Sequence, residues 1–127
     1  METTIQPFES PCSKKVILAI NDTLNVINGK WKLPILAALM FGHHKRFKDL
    51  SKAIPKITPK MLSKELKDLE ANGMVKREVV EAGMVTVEYQ LTPGAESFRQ
   101  VLDVLVNWGI HHRQSVIGNS EPEFVLG

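Results

Sequence analysis

Apolar residues in the first half of the chain recur every three or four positions, which is the spacing of amphipathic helices. This spacing predicts a first helix over residues 14–28, whose apolar stripe consists of Val16, Ile20, Leu24 and Ile27. A second helix is predicted over residues 31–41, with Pro34 in its first turn, where a missing N–H does least harm. A short third helix is predicted over residues 46–53, and Pro55 stops it.

The stretch "KITPKMLSKELKDLEANG", residues 56–73, predicts a fourth amphipathic helix. Thr58 is a good N-cap, Pro59 suits the first helical position, and Gly73 ends the helix. The stripe that should be buried consists of Leu62, Leu66 and Leu69. Because a short helix, a tight turn and this helix follow one another, we predict a helix-turn-helix.

After Gly73 the period of the pattern changes from that of a helix to that of a half-buried strand. Apolar and polar residues alternate from Val85 to Leu91, and the preceding "EAGM" is short enough to form the tip of a hairpin. Thr92 and Pro93 then open a long last helix by the same capping logic. One apolar seam is expected along that helix, formed by Phe98, Val101, Leu102, Leu105, Trp108 and His112. A hairpin directly after a helix-turn-helix predicts the winged variant of the motif.

These elements predict one domain that is mainly α-helical with a small antiparallel β hairpin. Residues 14–113 should form the winged helix-turn-helix domain, between a flexible arm over residues 1–13 and a flexible acidic tail over residues 114–127. A chain of 127 residues that is 43% apolar can build a core without disulfides or metal. With one cysteine, Cys12, and no apolar run near the ~20 residues of a membrane span, we expect a cytoplasmic protein that does not bind membranes.

The net charge of +2 is distributed unevenly along the chain. Residues 43–77 include ten basic and four acidic residues, a net charge of +6, whereas the rest of the chain has a net charge of −4. A basic middle segment between acidic flanks indicates a polyanionic partner.

The fourth predicted helix carries part of this charge on one face, because Lys60, Ser63, Lys64 and Lys67 follow the spacing i, i+3, i+4 and i+7. A lysine face is more often merely solvated. The turn, the hairpin and the segmental charge nevertheless favour double-stranded DNA, since this end of a helix-turn-helix enters the major groove. The helix lacks arginine, so phosphate contact is better supported than base reading. The candidate DNA contacts are Arg46, Lys48, Lys56, Thr58, Lys60, Ser63, Lys64, Lys67, Lys76 and Arg77.

Three stretches carry a family resemblance: "NGKWKLPILAAL", "RFKDLSKAIPKITPKMLSKELKDLEANGMVKRE" and "VEYQLTPGAESF…VLDVLVNWG". From about residue 17 to residue 112 the sequence resembles the HxlR-type, MarR-like winged helix-turn-helix regulators of bacteria. The resemblance implies a transcriptional regulator that binds an inverted-repeat operator as a homodimer, joined by its first and last helices, with each wing in the adjacent minor groove. The seam on the last helix supports a dimer independently. The expected interface consists of Val16, Ile20, Leu24, Phe98, Val101, Leu102, Leu105, Trp108 and His112.

The chain departs from the family pattern at two places. Many family members carry a cysteine about thirteen residues before the tryptophan of "GKW", where this chain has Leu18. Cys12 lies six residues further away and is expected to be an incidental thiol. Family members often have Pro-Pro-Arg before "VEY", where this chain has Met84-Val85-Thr86, so the arginine for the minor groove is missing.

Neither a metal site nor a catalytic site is predicted. His43-His44 and His111-His112 are adjacent pairs rather than the i, i+4 pairs of helical zinc sites. No nucleophile with a base and no glycine-rich phosphate loop stands out, so we expect neither enzymatic activity nor a cofactor. A small-molecule effector is left open. The alternative function is a winged-helix protein-interaction module whose basic strip binds an acidic partner, which a monomeric protein would favour.

Overall fold

The computed structural model describes residues 13–43 and 45–117. Its elements in chain order are α1 (Lys14–Ile27), α2 (Lys32–Met40), α3 (Phe47–Ala53), α4 (Pro59–Ala71), β1 (Val75–Ala82), β2 (Met84–Leu91), a 3-10 helix (Pro93–Phe98) and α5 (Arg99–Ile117). This order confirms the prediction of a mainly α-helical winged helix-turn-helix. Cys12 and the arm before it, His44, and residues 118–127 of the predicted tail lie outside the described residues.

The last predicted helix differs from the structure at both ends. Its first six residues, Pro93–Phe98, form a 3-10 helix rather than α-helix. The α-helix that follows continues to Ile117, so residues 114–117, which the sequence assigned to the tail, are helical. No proline interrupts α5, and its last eight residues contain no glycine, so nothing in the sequence stops the helix at residue 113.

Helix α2 forms the centre of the core. Its sequence, KLPILAALM, is apolar on nearly all sides, and residues 35–40 are buried without a gap. Helices α3, α4 and α5 and strand β2 all contact α2. The leucine stripe predicted for α4 lies in the same core, with Leu62, Leu66 and Leu69 at most 1% exposed. The core therefore holds the helix-turn-helix and the root of the wing in one unit.

The turn between α3 and α4 is held from inside. Ile54 and Ile57 are buried in the core, and the N–H of Ile57 donates to the Ile54 carbonyl at 3.4 Å. Between them, Lys56 has a φ of +69°, in the left-handed region that favours glycine. The turn thus places an exposed lysine on strained backbone because the two isoleucines beside it are fixed in the core.

The wing is a two-stranded antiparallel hairpin. Val75 lies opposite Leu91 at its root, and Ala82 lies opposite Met84 at its tip. Gly83 forms the turn with a φ of +85°, which confirms the predicted hairpin tip.

The root of the wing is bonded to the segment that leads into α5. The Thr92 hydroxyl donates to the Gly73 carbonyl at 2.6 Å, and the Thr92 N–H donates to the Met74 carbonyl at 3.1 Å. The same hydroxyl accepts from the Ala95 N–H at 3.1 Å, as the N-cap of the 3-10 helix. One threonine therefore joins the end of the helix-turn-helix to the start of the last helical segment.

Helix α5 has two apolar sides where the sequence predicted one seam. Leu102 of α5 faces inward and is only 2% exposed, and Phe98, the last residue of the 3-10 helix before α5, is half-buried against the same core. The other seam residues are exposed to solvent, namely Val101, Leu105, Trp108 and His112. The structure corrects the assignment of Leu102 to a dimer interface, because the core of its own chain covers the side chain. The two stripes are neighbours on the helix surface, so a linear pattern merges them.

The apolar stripe of α1 is largely open to solvent. Ile20 and Leu24 are 54% and 51% exposed, and Val16 is half-buried. Only Ile27, at the end of the helix, is buried in the core. Helix α1 is therefore attached to the domain at its C-terminal end while most of its apolar side stays uncovered.

Candidate nucleic-acid interface

The side of α4 that faces away from the core presents the lysines predicted to contact DNA. Lys60, Lys64 and Lys67 are exposed, and Lys64 keeps 70% of its side chain accessible. Ser63, on the same face, is half-buried. Three ammonium groups within two turns, with one hydroxyl among them, suit an anionic backbone better than they suit a neutral surface.

Thr58, another predicted DNA contact, also caps the N-terminus of α4. Its hydroxyl oxygen accepts from the Met61 N–H at 3.1 Å, which makes it the N-cap of α4. The hydroxyl hydrogen remains able to donate to a phosphate oxygen. Thr58 thus stabilises the first turn of the helix that carries the lysine face.

The basic residues before α4 are also exposed. Arg46 is the N-cap of α3 and forms an isolated β-bridge with Glu88 of β2. Lys48 lies in the first turn of α3, and Lys56 lies in the turn before α4. Each of the three parts of the helix-turn-helix therefore exposes basic side chains.

The two basic residues of the wing point to opposite faces of the hairpin. Lys76 lies opposite Gln90 and Arg77 lies opposite Tyr89 in the register, and successive strand residues alternate between faces. Both are exposed, but only one of them can face a given DNA backbone. The two wing residues predicted to contact DNA therefore lie on different surfaces of the hairpin.

The outer part of the wing carries acidic and apolar residues. Glu78 lies opposite Glu88 in the register and accepts a hydrogen bond from the Gln90 amide at 2.8 Å. At the tip, Met84 and Val85 are exposed. The positive charge of the wing thus lies at its root, near α4 in sequence, rather than at its tip.

A buried lysine behind α4 explains where two of that helix's acidic residues point. Lys32, at the start of α2, is 4% exposed, and its Nζ donates to Glu65 Oε1 at 2.6 Å and to Asp68 Oδ2 at 3.4 Å. It also donates to Asn28 Oδ1 at 3.2 Å. Asp68 further pairs with Lys64 at 3.6 Å. Glu65 and Asp68 therefore face a cation inside the protein, and Asp68 also pairs with Lys64 of the lysine face, whereas Glu70 is exposed.

The environment of Lys32 shifts its pKa. Burial lowers the pKa, but the hydrogen bonds and charges of Glu65 and Asp68 outweigh burial and raise it above the ordinary value of 10.5. Lys32 is therefore fully charged at neutral pH, as a cation enclosed among its partners.

Sequence reasoning missed Lys32. Its partners on α4 lie 33 and 36 residues away, so no local spacing joins them. One signal was available: a lysine inside the apolar stretch "WKLPILAAL", combined with Glu65 and Asp68 at i, i+3 on a helix that must pack on that stretch.

Within the residues that the structure describes, no group of three His, Cys, Asp or Glu side chains could hold a metal ion. In the same part of the chain, no helix is long and apolar enough to cross a membrane. His111 and His112 have local partners: the His111 Nδ1 lies 2.8 Å from the Asn107 carbonyl, and the His112 ring stacks on Trp108 with 4.7 Å between centroids.

Comparisons with known proteins agree with this geometry. The sequence profile of the HxlR-like helix-turn-helix family matches residues 26–116. The HTH-type transcriptional regulator YtcD of Bacillus subtilis is 40% identical over 107 residues, which cover 84% of each chain. The redox regulator HypR in its reduced form is 35% identical with a TM-score of 0.66, over 81% of this chain and 99% of HypR.

A MarR-family transcriptional regulator from Enterococcus faecalis V583 is 34% identical with a TM-score of 0.65, over 85% of this chain and 96% of that regulator. The profile match covers most of the folded residues, and it includes the helix-turn-helix, the wing and nearly all of α5. The chain therefore belongs to the HxlR-like helix-turn-helix family and is a DNA-binding transcriptional regulator.

Proposed function

We propose that two copies of this chain bind an inverted-repeat operator, with α4 of each copy in the major groove. The observation that carries the proposal is the exposed lysine face of α4, Lys60, Lys64 and Lys67, on a helix whose leucine side is fully buried. Because the buried leucines hold α4 in one orientation, its lysines all point to the same side and can face a DNA groove together. Lys60 lies in the first turn of α4, where the helix dipole also favours anions, and Lys64 and Lys67 extend the phosphate-binding face along the helix.

The second copy would cover the two open apolar stripes. On α1 the stripe includes Ile20 and Leu24, and on α5 it includes Val101, Leu105 and Trp108, all exposed in the single chain. Exposed apolar stripes on the first and last helices of the same domain suit a symmetric interface, in which each copy offers the same patch. Such a dimer should place the two α4 helices about one DNA turn, ~34 Å, apart.

The remaining contacts follow from exposure and position. Arg46, Lys48 and Lys56 are offered to the DNA backbone beside the major groove. On the wing, either Lys76 or Arg77 would hold a phosphate at the root of the hairpin, because the two lie on opposite faces. With an apolar tip at Met84 and Val85, the wing supplies positive charge only at its root.

The test uses duplexes that the wild-type protein selects from a randomised pool, with affinity measured by fluorescence anisotropy over a salt series. Lys60→Ala combined with Lys64→Ala should weaken binding and lower the slope of log affinity against log salt by about 0.9 for each phosphate that the variant no longer neutralises. The matched control is Lys14→Ala combined with Lys15→Ala, which removes the same charge from exposed positions on α1. The control should leave the slope unchanged.

An unchanged affinity and slope in the α4 variant would remove the lysine face from the proposal. If the wild type selects no duplex at all and instead binds acidic proteins, the alternative of a protein-interaction module would replace it.

A further inference from the structure

We propose that Lys32 is a positioning residue: it fixes the rotation of α4 about its own axis and connects that helix to α1, and it thereby sets how sharply the protein discriminates between DNA sequences. This inference rests on the proposed function of α4 as the helix that enters the major groove.

The first argument is that every hydrogen-bond donor of the Lys32 ammonium group has an acceptor. A lysine ammonium has three N–H donors, and Lys32 Nζ has three acceptors, which are Asn28 Oδ1, Glu65 Oε1 and Asp68 Oδ2. The residue is 4% exposed, so these bonds replace water almost entirely. Because a buried charge without its partner is strongly disfavoured, this arrangement tolerates little displacement.

The second argument is the placement of the two carboxylates. Glu65 and Asp68 lie three residues apart, so they share one side of α4. A rotation of the helix by one residue, about 100°, would move both acids away from Lys32. The leucine stripe alone would resist such a rotation less specifically, because apolar contacts are not directional.

The third argument is the reach of the cluster in both directions. Asn28 is the C-cap residue of α1, the helix whose open stripe we assign to the second copy. Asp68, at the other side, also pairs with Lys64 of the lysine face at 3.6 Å. One chain of polar contacts therefore runs from the end of the proposed dimer helix, through a buried cation, to a side chain proposed to hold DNA.

The first experiment replaces the charged pair by residues of similar volume, Lys32→Met combined with Glu65→Met. Apolar replacement of a buried ion pair is often neutral or stabilising, so the variant should fold with an unchanged or higher urea midpoint. The readout is the ratio of affinities for the duplex that wild type selects and for the same duplex with its bases scrambled. We expect this ratio to fall at least about fivefold, as it would for a mismatch at one base pair.

The matched control is Lys30→Met combined with Glu70→Met, which also removes one positive and one negative charge, at exposed positions, and leaves the net charge unchanged. Lys30 is exposed and lies over the Trp31 ring at 5.0 Å. The control should keep the discrimination ratio of wild type. A folded Lys32 and Glu65 double variant whose ratio equals that of wild type would overturn the inference while leaving the proposed function in place. A wild-type protein that selects no sequence would overturn both.

A second pair of variants decides the matter if the Lys32 and Glu65 double variant does not fold. Asp68→Asn removes one anchor at a side chain that is 46% exposed, and it also releases Lys64. Glu70→Gln makes the same charge change at an exposed position of the same helix. Asp68→Asn should raise affinity for scrambled DNA more than for selected DNA, lowering the ratio at least about twofold. Glu70→Gln should raise both affinities equally, and equal ratios for the two variants would contradict the positioning role.

Discussion

Helices α1 and α4 have nearly the same length and the same kind of apolar stripe, yet within the described residues one stripe is covered and the other is open. In α4, Leu62, Leu66 and Leu69 are at most 1% exposed, whereas Ile20 and Leu24 of α1 are about half exposed. Amphipathic spacing shows that a helix has a side to bury. It does not show whether the covering surface belongs to the same chain. The α4 stripe is covered by its own chain, whereas the α1 stripe is not covered by the residues that the structure describes, although the two patterns are alike.

What distinguishes the two helices is their attachment. Helix α4 is held at its beginning by the buried turn residues Ile54 and Ile57, and its polar side is bonded from behind by Lys32. Helix α1 reaches the core only through its last turn, at Ile27 and the partly buried Val26. The apolar stripe of α4 is thus covered within the chain because the turn before the helix and the polar side of the helix are both fixed to the core.

The strongest way to break the comparison is to shorten one leucine in each stripe. Leu66→Ala should reduce the free energy of unfolding by about 2–5 kcal/mol, because it opens a cavity in a core that is already closed. Leu24→Ala should change the stability of the separate chain by less than about 0.5 kcal/mol. If the proposed dimer forms through this stripe, Leu24→Ala should instead raise the dimer's dissociation constant about tenfold, or about 1.4 kcal/mol.

Urea unfolding and sedimentation equilibrium over a range of concentrations distinguish these effects. The unfolding midpoint of the Leu24 variant should depend on concentration less steeply than that of wild type, since the dimer contributes less. Equal reductions in stability for both leucines at the lowest concentration would show that α1 is covered within its own chain after all.

A smaller effect comes from the N-caps of the two helices. The Thr58 hydroxyl accepts from the Met61 N–H and the Ser13 hydroxyl accepts from the Lys15 N–H, both at 3.1 Å. Thr58→Ala should lower the free energy of unfolding by about 1 kcal/mol, because α4 unfolds together with the core. Ser13→Ala should mainly fray the first turn of α1. Urea unfolding gives the first quantity, and amide hydrogen exchange of residues 14–17 gives the second; global destabilisation of equal size would contradict the difference in attachment.

The smallest expected effect is the pH dependence from Lys32. Since its pKa is higher in the folded chain than the ordinary 10.5, its stabilising contribution is complete well below pH 10.5 and is lost as pH rises through the folded value. At pH 10.5 at most about 0.4 kcal/mol should be lost, because only half of the unfolded chains have released this proton.

Urea unfolding between pH 8 and pH 11 measures this decrease, with Lys32→Met combined with Glu65→Met as the reference that lacks it. Stability that rises with pH relative to the reference would reverse the sign and contradict the favourable pairing of Lys32 with the acids of α4.

The sequence predicted most of the elements because each has a local signature. Thr58 before Pro59 fixed the start of α4, and the alternation through Val87 and Tyr89 fixed the strand. The exposed position of the α4 lysines also followed from spacing alone. These features depend on residues within a few positions of one another, which is the range over which a linear pattern carries information.

The rest could not be predicted because it depends on which surfaces meet. The seam on α5 divided into a core side with Leu102 and an open side with Trp108, since packing rather than spacing decides which stripe is covered. The bond from Lys32 to Glu65 crosses 33 residues of chain and was invisible in the local pattern. Only the folded arrangement of α2 against α4 reveals it.

The hydroxyl of Thr92 fixes the wing at its root only. Its bonds to Gly73 and Ala95 clamp the root of the hairpin to the segment that begins the last helix. Among the residues that the structure describes, the tip around Gly83 has no such clamp. A displacement of the tip would therefore deform the outer ends of the strands first. Through the root it would then act on the start of α5. The hairpin and the last helix, which carries an open apolar stripe, are therefore held by the same threonine.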